Sequence, residues 1–237
     1  GDLFLRGFDD EVRHFVRDEI TKKGINLKFN DNVKALSKNK DRLIQVKYES
    51  GQEINTGLVL YATGRVAHTQ DLGLENTGVE LDAKGQIQVN TQFETSVDNI
   101  YALGDVTGGM QLTPVALAEG MYLANKLFST HEPEPIDYTN IATAVFCQPN
   151  IATVGLTEKQ ANDAFDQIEV FVSSFKAMKH TLSGRDERSL MKIIVDKQTD
   201  KVLGVHMVGS DAGEIIQGIA IALKTGATKK IFDQTIG

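Results

Sequence analysis

The run Leu58-Val59-Leu60-Tyr61-Ala62 is apolar at every position and leads directly into Thr63-Gly64-Arg65. Side chains of a strand point alternately to the two faces of its sheet, so an unbroken apolar run calls for cover on both sides. A second run, Asn99-Ile100-Tyr101-Ala102-Leu103, leads into Gly104-Asp105. Both are predicted as buried strands with a glycine at or near the exit, the pattern of an open α/β sheet, which binds its ligands beyond the carboxyl ends of its strands.

The segments around these runs have a mixed rhythm. Phe8, Val12, Phe15, Val16 and Ile20 fall at helical spacing, with Asp9, Asp10 and Glu11 at the amino end and Gly24 at the close. Ile25–Phe29, Val33–Leu36 and Leu43–Glu49 read as strands, the last turning at Ser50-Gly51-Gln52. Val79-Glu80-Leu81 and Gln86–Val89 flank a turn at Ala83-Lys84-Gly85. Thr113-Pro114 opens a helix with Thr113 as cap, and its body, Val115 to Phe128, is apolar nearly all round and is expected to be buried. His131-Glu132-Pro133-Glu134-Pro135 breaks it and marks the main boundary. Beyond it, strands are predicted at Thr143–Phe146, Ile151–Val154, Glu169–Phe175, Leu190–Asp196 and Val202–Val208. Helices are predicted at Thr157–Phe165 and Asp211–Lys224, the second with an apolar stripe of Ala212, Ile215, Ile216, Ile219, Ala220 and Leu223.

Composition narrows the function. The chain has 237 residues, 41% hydrophobic and 24% charged, ordinary for one or two globular domains. Net charge is −7 with no basic cluster beyond pairs such as Lys22-Lys23 and Lys229-Lys230, which argues against nucleic acid as a partner. No stretch approaches the ~20 apolar residues of a membrane helix, and the first residues lack the pattern of a signal peptide. The single cysteine, Cys147, cannot form an internal disulfide and fits a reducing compartment.

The candidate site residues each have two readings. Asp105 is either a turn residue capping the next segment or a carboxylate presented to a ligand hydroxyl. Thr113 is either a plain helix cap or part of a helix start facing a polar or anionic group. Arg65 is a solvated charge or a phosphate partner, and Gly64 permits close approach of a cofactor. Arg6, read alone, is a surface charge. Cys147 has nothing beside it in sequence to lower its pKa and reads as a small half-buried side chain. His14, His68, His131, His180 and His206 lack the spacing of a metal site, His180 and His206 reading as structural or surface residues. Met178 and Met207 read as packing residues.

Taken in order, several stretches resemble the glutathione reductase family of FAD- and NADPH-dependent disulfide reductases. They are Leu5-Arg6-Gly7-Phe8-Asp9, Tyr61–Arg65, Asn99–Asp105, Leu112–Ala116, Val145–Pro149 with Val154–Glu158, Met178–Arg185, and Gly204–Gly209 through Glu214–Gly218. The resemblance covers the whole chain. It implies α/β plus α+β architecture: the C-terminal part of a Rossmann-like NADPH-binding domain (1–66), a central FAD-contacting segment (67–136), and an α+β interface domain for homodimerisation (137–237). It further implies that Asp105 hydrogen-bonds the flavin's ribityl chain, with Gly104 beside it among the cofactor-binding residues, that Gln111, Leu112 and Thr113 lie by the isoalloxazine edge, and that Arg6 grips the 2′-phosphate of NADPH. Gly64 would line the nicotinamide cleft, Arg65 would be a further cofactor-binding residue, and Met178 would touch glutathione. At Met121, some members place an arginine for the substrate carboxylate.

The resemblance also implies what is not found within the sequence. There is no Gly-x-Gly-x-x-Gly loop and no cysteine pair, and the family's His-Pro would begin just beyond Gly237. The chain is therefore expected to hold no catalytic residue of its own and to be inactive alone. The parent is expected to pass electrons from NADPH through FAD and a redox disulfide to glutathione disulfide, in the cytoplasm or an organelle lumen. The rival expectations are a dimerisation module or partial flavin binder, and a relative that reduces trypanothione or lipoamide.

Overall fold

The computed structural model describes residues 2–236. It divides into two compact units, one of residues up to Leu58 together with those from Tyr138, the other of Val59–Asp137. The expected junctions lay after 66 and 136.

The first unit begins with helix α1 (Asp10–Lys22), whose N-cap Asp9 accepts the Glu11 amide at 3.1 Å. Gly24 ends it in the left-handed region, at φ +81°. A three-stranded antiparallel meander follows, β1 (Val33–Lys38), β2 (Ile44–Tyr48) and β3 (Glu53–Thr56). The strand expected over 25–29 does not form: those residues have no ladder partner.

In the second unit, neither predicted buried strand forms. Residues 58–62 carry no strand pairing, with Leu58, Leu60 and Tyr61 exposed by 79, 85 and 63%. Residues 99–103 contribute one isolated bridge, Tyr101 to Glu94. A strand covered on both faces is made by its neighbours, and among the described residues no strand lies alongside either run. The core of this unit is instead Val79, Ile87 and Ala102, backed by Leu74, Val89, Val97, Ile100 and Val106. Helix α2 (Thr113–Phe128) is capped by Leu112, not by Thr113, which is its first residue. Only Val115 and Glu119 of it are buried, while Leu117, Met121 and Phe128 are exposed, so its all-round apolar character is not matched by all-round cover.

The remainder of the first unit is a five-stranded antiparallel sheet. Its elements are β4 (Thr143–Val145), β5 (Ile151–Gly155), α3 (Glu158–Ala164), β6 (Ile168–Lys176), α4 (Met178–Ser183), β7 (Arg188–Asp196), β8 (Val202–Val208), α5 (Ala212–Lys224) and α6 (Lys229–Gln234), with strand order β4-β5-β8-β7-β6. The short helices α4 and α6, six residues each, are too brief to show a helical period in sequence.

Alternation along the strands gives this sheet two faces. On one, Ala152, Val154, Val195, Val205 and Met207 pack against Ala212, Ile216, Ala220 and Leu223 of α5. Ile215, expected on that stripe, is turned partly to solvent. On the other, Ile151, Leu190 and Val208 pack against Val12 and Val16 of α1. This second face also carries a polar row, because Thr153 pairs in register with His206, and His206 with Lys192. At the end of the β5–β8 pair the backbones close in so far that a Cβ on Gly204 would stand 2.0 Å from the Leu156 carbonyl oxygen.

Candidate functional site

The second unit gathers several of the expected cofactor residues. The apolar residues before Gly104 enter the small core, and the chain then turns through a 3-10 segment, Gly104–Thr107. Gly104 makes that turn at φ +71°, where an added Cβ would stand 3.2 Å from the Ala116 Cβ. Its amide donates to Glu119 Oε2 at 2.7 Å, and Glu119 is 4% exposed in the middle of α2. The turn is thus tied to the helix by a buried hydrogen bond. Thr107 Oγ1 donates back to the Gly104 carbonyl at 2.9 Å, and the Ile87 amide donates to the Val106 carbonyl at 3.0 Å.

This fixes where Asp105 and the start of α2 stand. Asp105 is half-buried, and its Oδ2 accepts from the Arg65 guanidinium at 2.8 Å. A carboxylate has about four acceptor positions, so one arginine arm leaves it able to take hydroxyls. Gly64 adopts φ +104° with open space around it. Gln111 and Thr113 are exposed and Leu112 is half-buried. At the helix start, Val115 and Ala116 both donate to the Leu112 carbonyl, Pro114 has no amide hydrogen, and the first turn holds no acidic residue. The positive end of the helix dipole is therefore not neutralised by its own side chains.

These features fit a flavin. The turn is built of small residues, Asp105 keeps acceptor positions for hydroxyls, and a helix start with no acidic side chain in its first turn follows it in the chain.

The other expected residues lie in the first unit. Arg6 is exposed at the tip of a tight loop flanked by Leu5 at φ +56° and Gly7 at φ +91°. Met178, at the start of α4, is 87% exposed, so it does not pack within this chain as its sequence reading suggests. Met207 does pack in the core. Cys147 is half-buried and burial raises its thiol pKa, as expected of a structural cysteine. Among the described residues no group of three or more His, Cys, Asp or Glu is placed to hold a metal ion, and no helix is long and apolar enough to cross a membrane.

One cluster was not foreseen. Lys192, on β7, is 1% exposed and reaches three carboxylates: Asp9 Oδ1 at 2.8 Å, Glu158 Oε2 at 2.6 Å and Glu11 Oε2 at 3.0 Å. Burial pushes the Lys192 pKa down, but the bonds from Asp9, Glu158 and Glu11 outweigh it and raise it. Burial likewise pushes Asp9 up, yet the bonds from Lys192 and the Glu158 amide hold its pKa below the ordinary value. A lysine inside the apolar run Leu190–Val195 was the available signal. For Glu119 it was an acid between Ala118 and Gly120 in an otherwise apolar helix.

Comparison with known proteins shows the family. Residues 1–120 match the model described as "Pyridine nucleotide-disulphide oxidoreductase", and residues 141–237 the corresponding dimerisation domain. The chain is 45% identical to a glutathione reductase of Burkholderia cepacia over 237 residues, covering all of this chain and 52% of that protein. It is 40% identical to a trypanothione reductase of Leishmania donovani over 238 residues, covering all of this chain and 48% of that protein. The HOCl-induced flavoprotein disulfide reductase RclA from Escherichia coli superposes with a TM-score of 0.90 at 28% identity, over all of this chain and 54% of that one. The chain thus spans about half the length of the curated relatives it matches. FAD and NADPH are the cofactors of this group. The chain belongs to the pyridine nucleotide-disulphide oxidoreductase family.

Proposed function

We propose that the protein carrying this chain is an NADPH-dependent flavoprotein disulfide reductase whose substrate is glutathione disulfide. The observation that carries the reading is the Gly104–Thr113 turn and helix start, clamped by Glu119 and offering Asp105 and a positive helix end to one ligand. Bound flavin supplies the relay by which NADPH and a proton reduce glutathione disulfide to two thiols through an enzyme disulfide. Asp105 holds ribityl hydroxyls, and the start of α2 at Leu112 and Thr113, with Gln111 beside it, favours negative charge on the reduced ring. Gly104 keeps the backbone close, Gly64 and Arg65 border the nicotinamide, Arg6 grips the 2′-phosphate, and Met178 contacts glutathione.

We further assign 1–66 to the NADPH domain, 67–136 to the central domain and 137–237 to the interface domain, through which two copies pair. The protein works in the cytoplasm or an organelle lumen. The chain by itself, with one cysteine, has no dithiol pair to receive electrons and does not turn over.

The 40% identity to a trypanothione reductase makes the bulkier disulfide the second reading. NADPH oxidation by the full-length protein decides between them. The reading predicts turnover with glutathione disulfide and little with trypanothione disulfide. The reverse preference, or none with either, would refute it.

A further inference from the structure

The Arg6 loop is held at both ends by side chains from outside the loop itself. On one side Arg13 forks back onto it, Nε donating to the Phe4 carbonyl at 2.8 Å and Nη2 to the Leu3 carbonyl at 3.3 Å. Leu3 is buried and the Phe4 ring packs on Phe29 at 5.8 Å between centroids. On the other side the loop ends in Asp9, every part of whose carboxylate is taken. Oδ1 accepts from Lys192 at 2.8 Å and from the Glu11 amide at 3.1 Å, and Oδ2 accepts from the Glu158 amide at 2.9 Å. Between the two anchors the chain makes one turn, the Phe8 amide donating to the Leu5 carbonyl at 3.2 Å. Only Arg6 and Gly7 at the tip of that turn stand exposed.

We propose that Lys192 and Arg13 are positioning residues that fix the Arg6 loop for a phosphate monoester, so that the interface-domain sheet helps set the preference for the 2′-phosphorylated nicotinamide cofactor. The inference rests on the proposed role of Arg6. An arginine on a free loop forfeits rotamer and backbone freedom each time it grips an anion, whereas one on a clamped loop has lost much of it beforehand. Lys192 contributes from a distant part of the sequence. Its ammonium fills the space under the α1 cap, so without it Asp9 would be a buried charge seeking water, and the loop would move with it. Arg13 acts locally, on the carbonyls before the turn.

The test is the binding of NADP⁺ and NAD⁺ to the full-length protein by titration calorimetry, for wild type, Arg6→Leu, Lys192→Met and Arg13→Met. Both positioning variants are expected to weaken NADP⁺ about tenfold while leaving the NAD⁺ affinity within about twofold, since NAD⁺ has no 2′-phosphate to grip. Lys192→Arg, which keeps the charge, is expected to restore part of the loss. Hydrogen exchange on this chain should show the Phe8 and Glu11 amides opening at least about tenfold faster in Lys192→Met. Arg13→Met removes only the two carbonyl bonds and its ion pair with Asp10, so it serves even where loss of Lys192 prevents folding. Equal loss of both nucleotides, or no loss of either, overturns the inference while Arg6→Leu still discriminates between them. If Arg6→Leu itself fails to discriminate, the role given to Arg6 falls and the inference falls with it.

Discussion

The Lys192 ammonium lies 2.8 Å from the Asp9 carboxylate, and these two residues, 183 positions apart in sequence, are 1% and 2% exposed. One caps the first helix and the other stands mid-strand in the five-stranded sheet, with Glu158 completing the arrangement from the first residue of α3. Burying a charge is costly unless partners surround it. Here each charge is the chief partner of the other.

Lys192→Met should therefore cost about 3–5 kcal/mol, because it strands a buried carboxylate. Asp9→Asn should cost less than its parent pair suggests once Lys192 is gone, so the double variant should fall well short of the sum. Thermal unfolding of the four species measures this. Additive losses would show that the two side chains are not coupled.

Acid should destabilise the protein over two pH ranges. His206, on the same sheet face, hydrogen-bonds Thr153 and its Nε2 lies 3.0 Å from the Leu156 carbonyl, which can only accept. Nε2 therefore carries the hydrogen of the neutral ring. Burial lowers its pKa, with Asp9 opposing, so the fold keeps the ring neutral while the unfolded chain takes up a proton below about 6.5. Stability then falls as pH drops through 6.5. The depressed Asp9 pKa adds a second loss below about 4, as that carboxylate is protonated. Urea midpoints measured against pH should show both limbs, and His206→Gln should remove the upper one.

What could be read from the sequence was whatever depends on neighbours in the chain. The helices α1 and α3, the close of α1 at Gly24, most of the apolar stripe of α5 and the five strands of the second sheet follow from periodicity and local chemistry, whereas Asp9 and Thr157 were revealed as N-caps only by the structure. Leu58–Ala62 failed because a doubly buried strand is a statement about what lies beside it, and no described strand does. Thr113 failed as a cap because Pro114 fits the first helical turn equally well with Leu112 as the half-in residue. At the candidate site, Gly104 and Asp105 were visible as a strand exit. The clamp by Glu119, and the pairing of Asp105 with Arg65 across 40 residues, needed the fold.

Gly204→Ala should destabilise by about 3 kcal/mol, the upper end for overpacking, since the added methyl would meet a backbone oxygen that cannot turn aside. Gly218→Ala, in α5 with open space around it, should be neutral or slightly stabilising. Chemical unfolding of both variants compares them directly. Similar values would mean that the β5–β8 approach is looser than the structure shows.

Arg65→Ala should change stability by less than about 1 kcal/mol, because its pair with Asp105 is open to solvent on both sides. A larger loss in a thermal melt would mean that the pair holds the 59–66 segment in place.

The measurement that tests the site most directly is the visible absorption of bound flavin in the full-length protein after desalting, for wild type and Asp105→Ala. Asp105→Ala is predicted to lose most of the flavin while keeping its fold by circular dichroism, because the ribityl hydroxyls lose their carboxylate and the Glu119 clamp remains. Full retention of flavin by Asp105→Ala would contradict the assignment of the Gly104–Thr113 turn and helix start as the cofactor site.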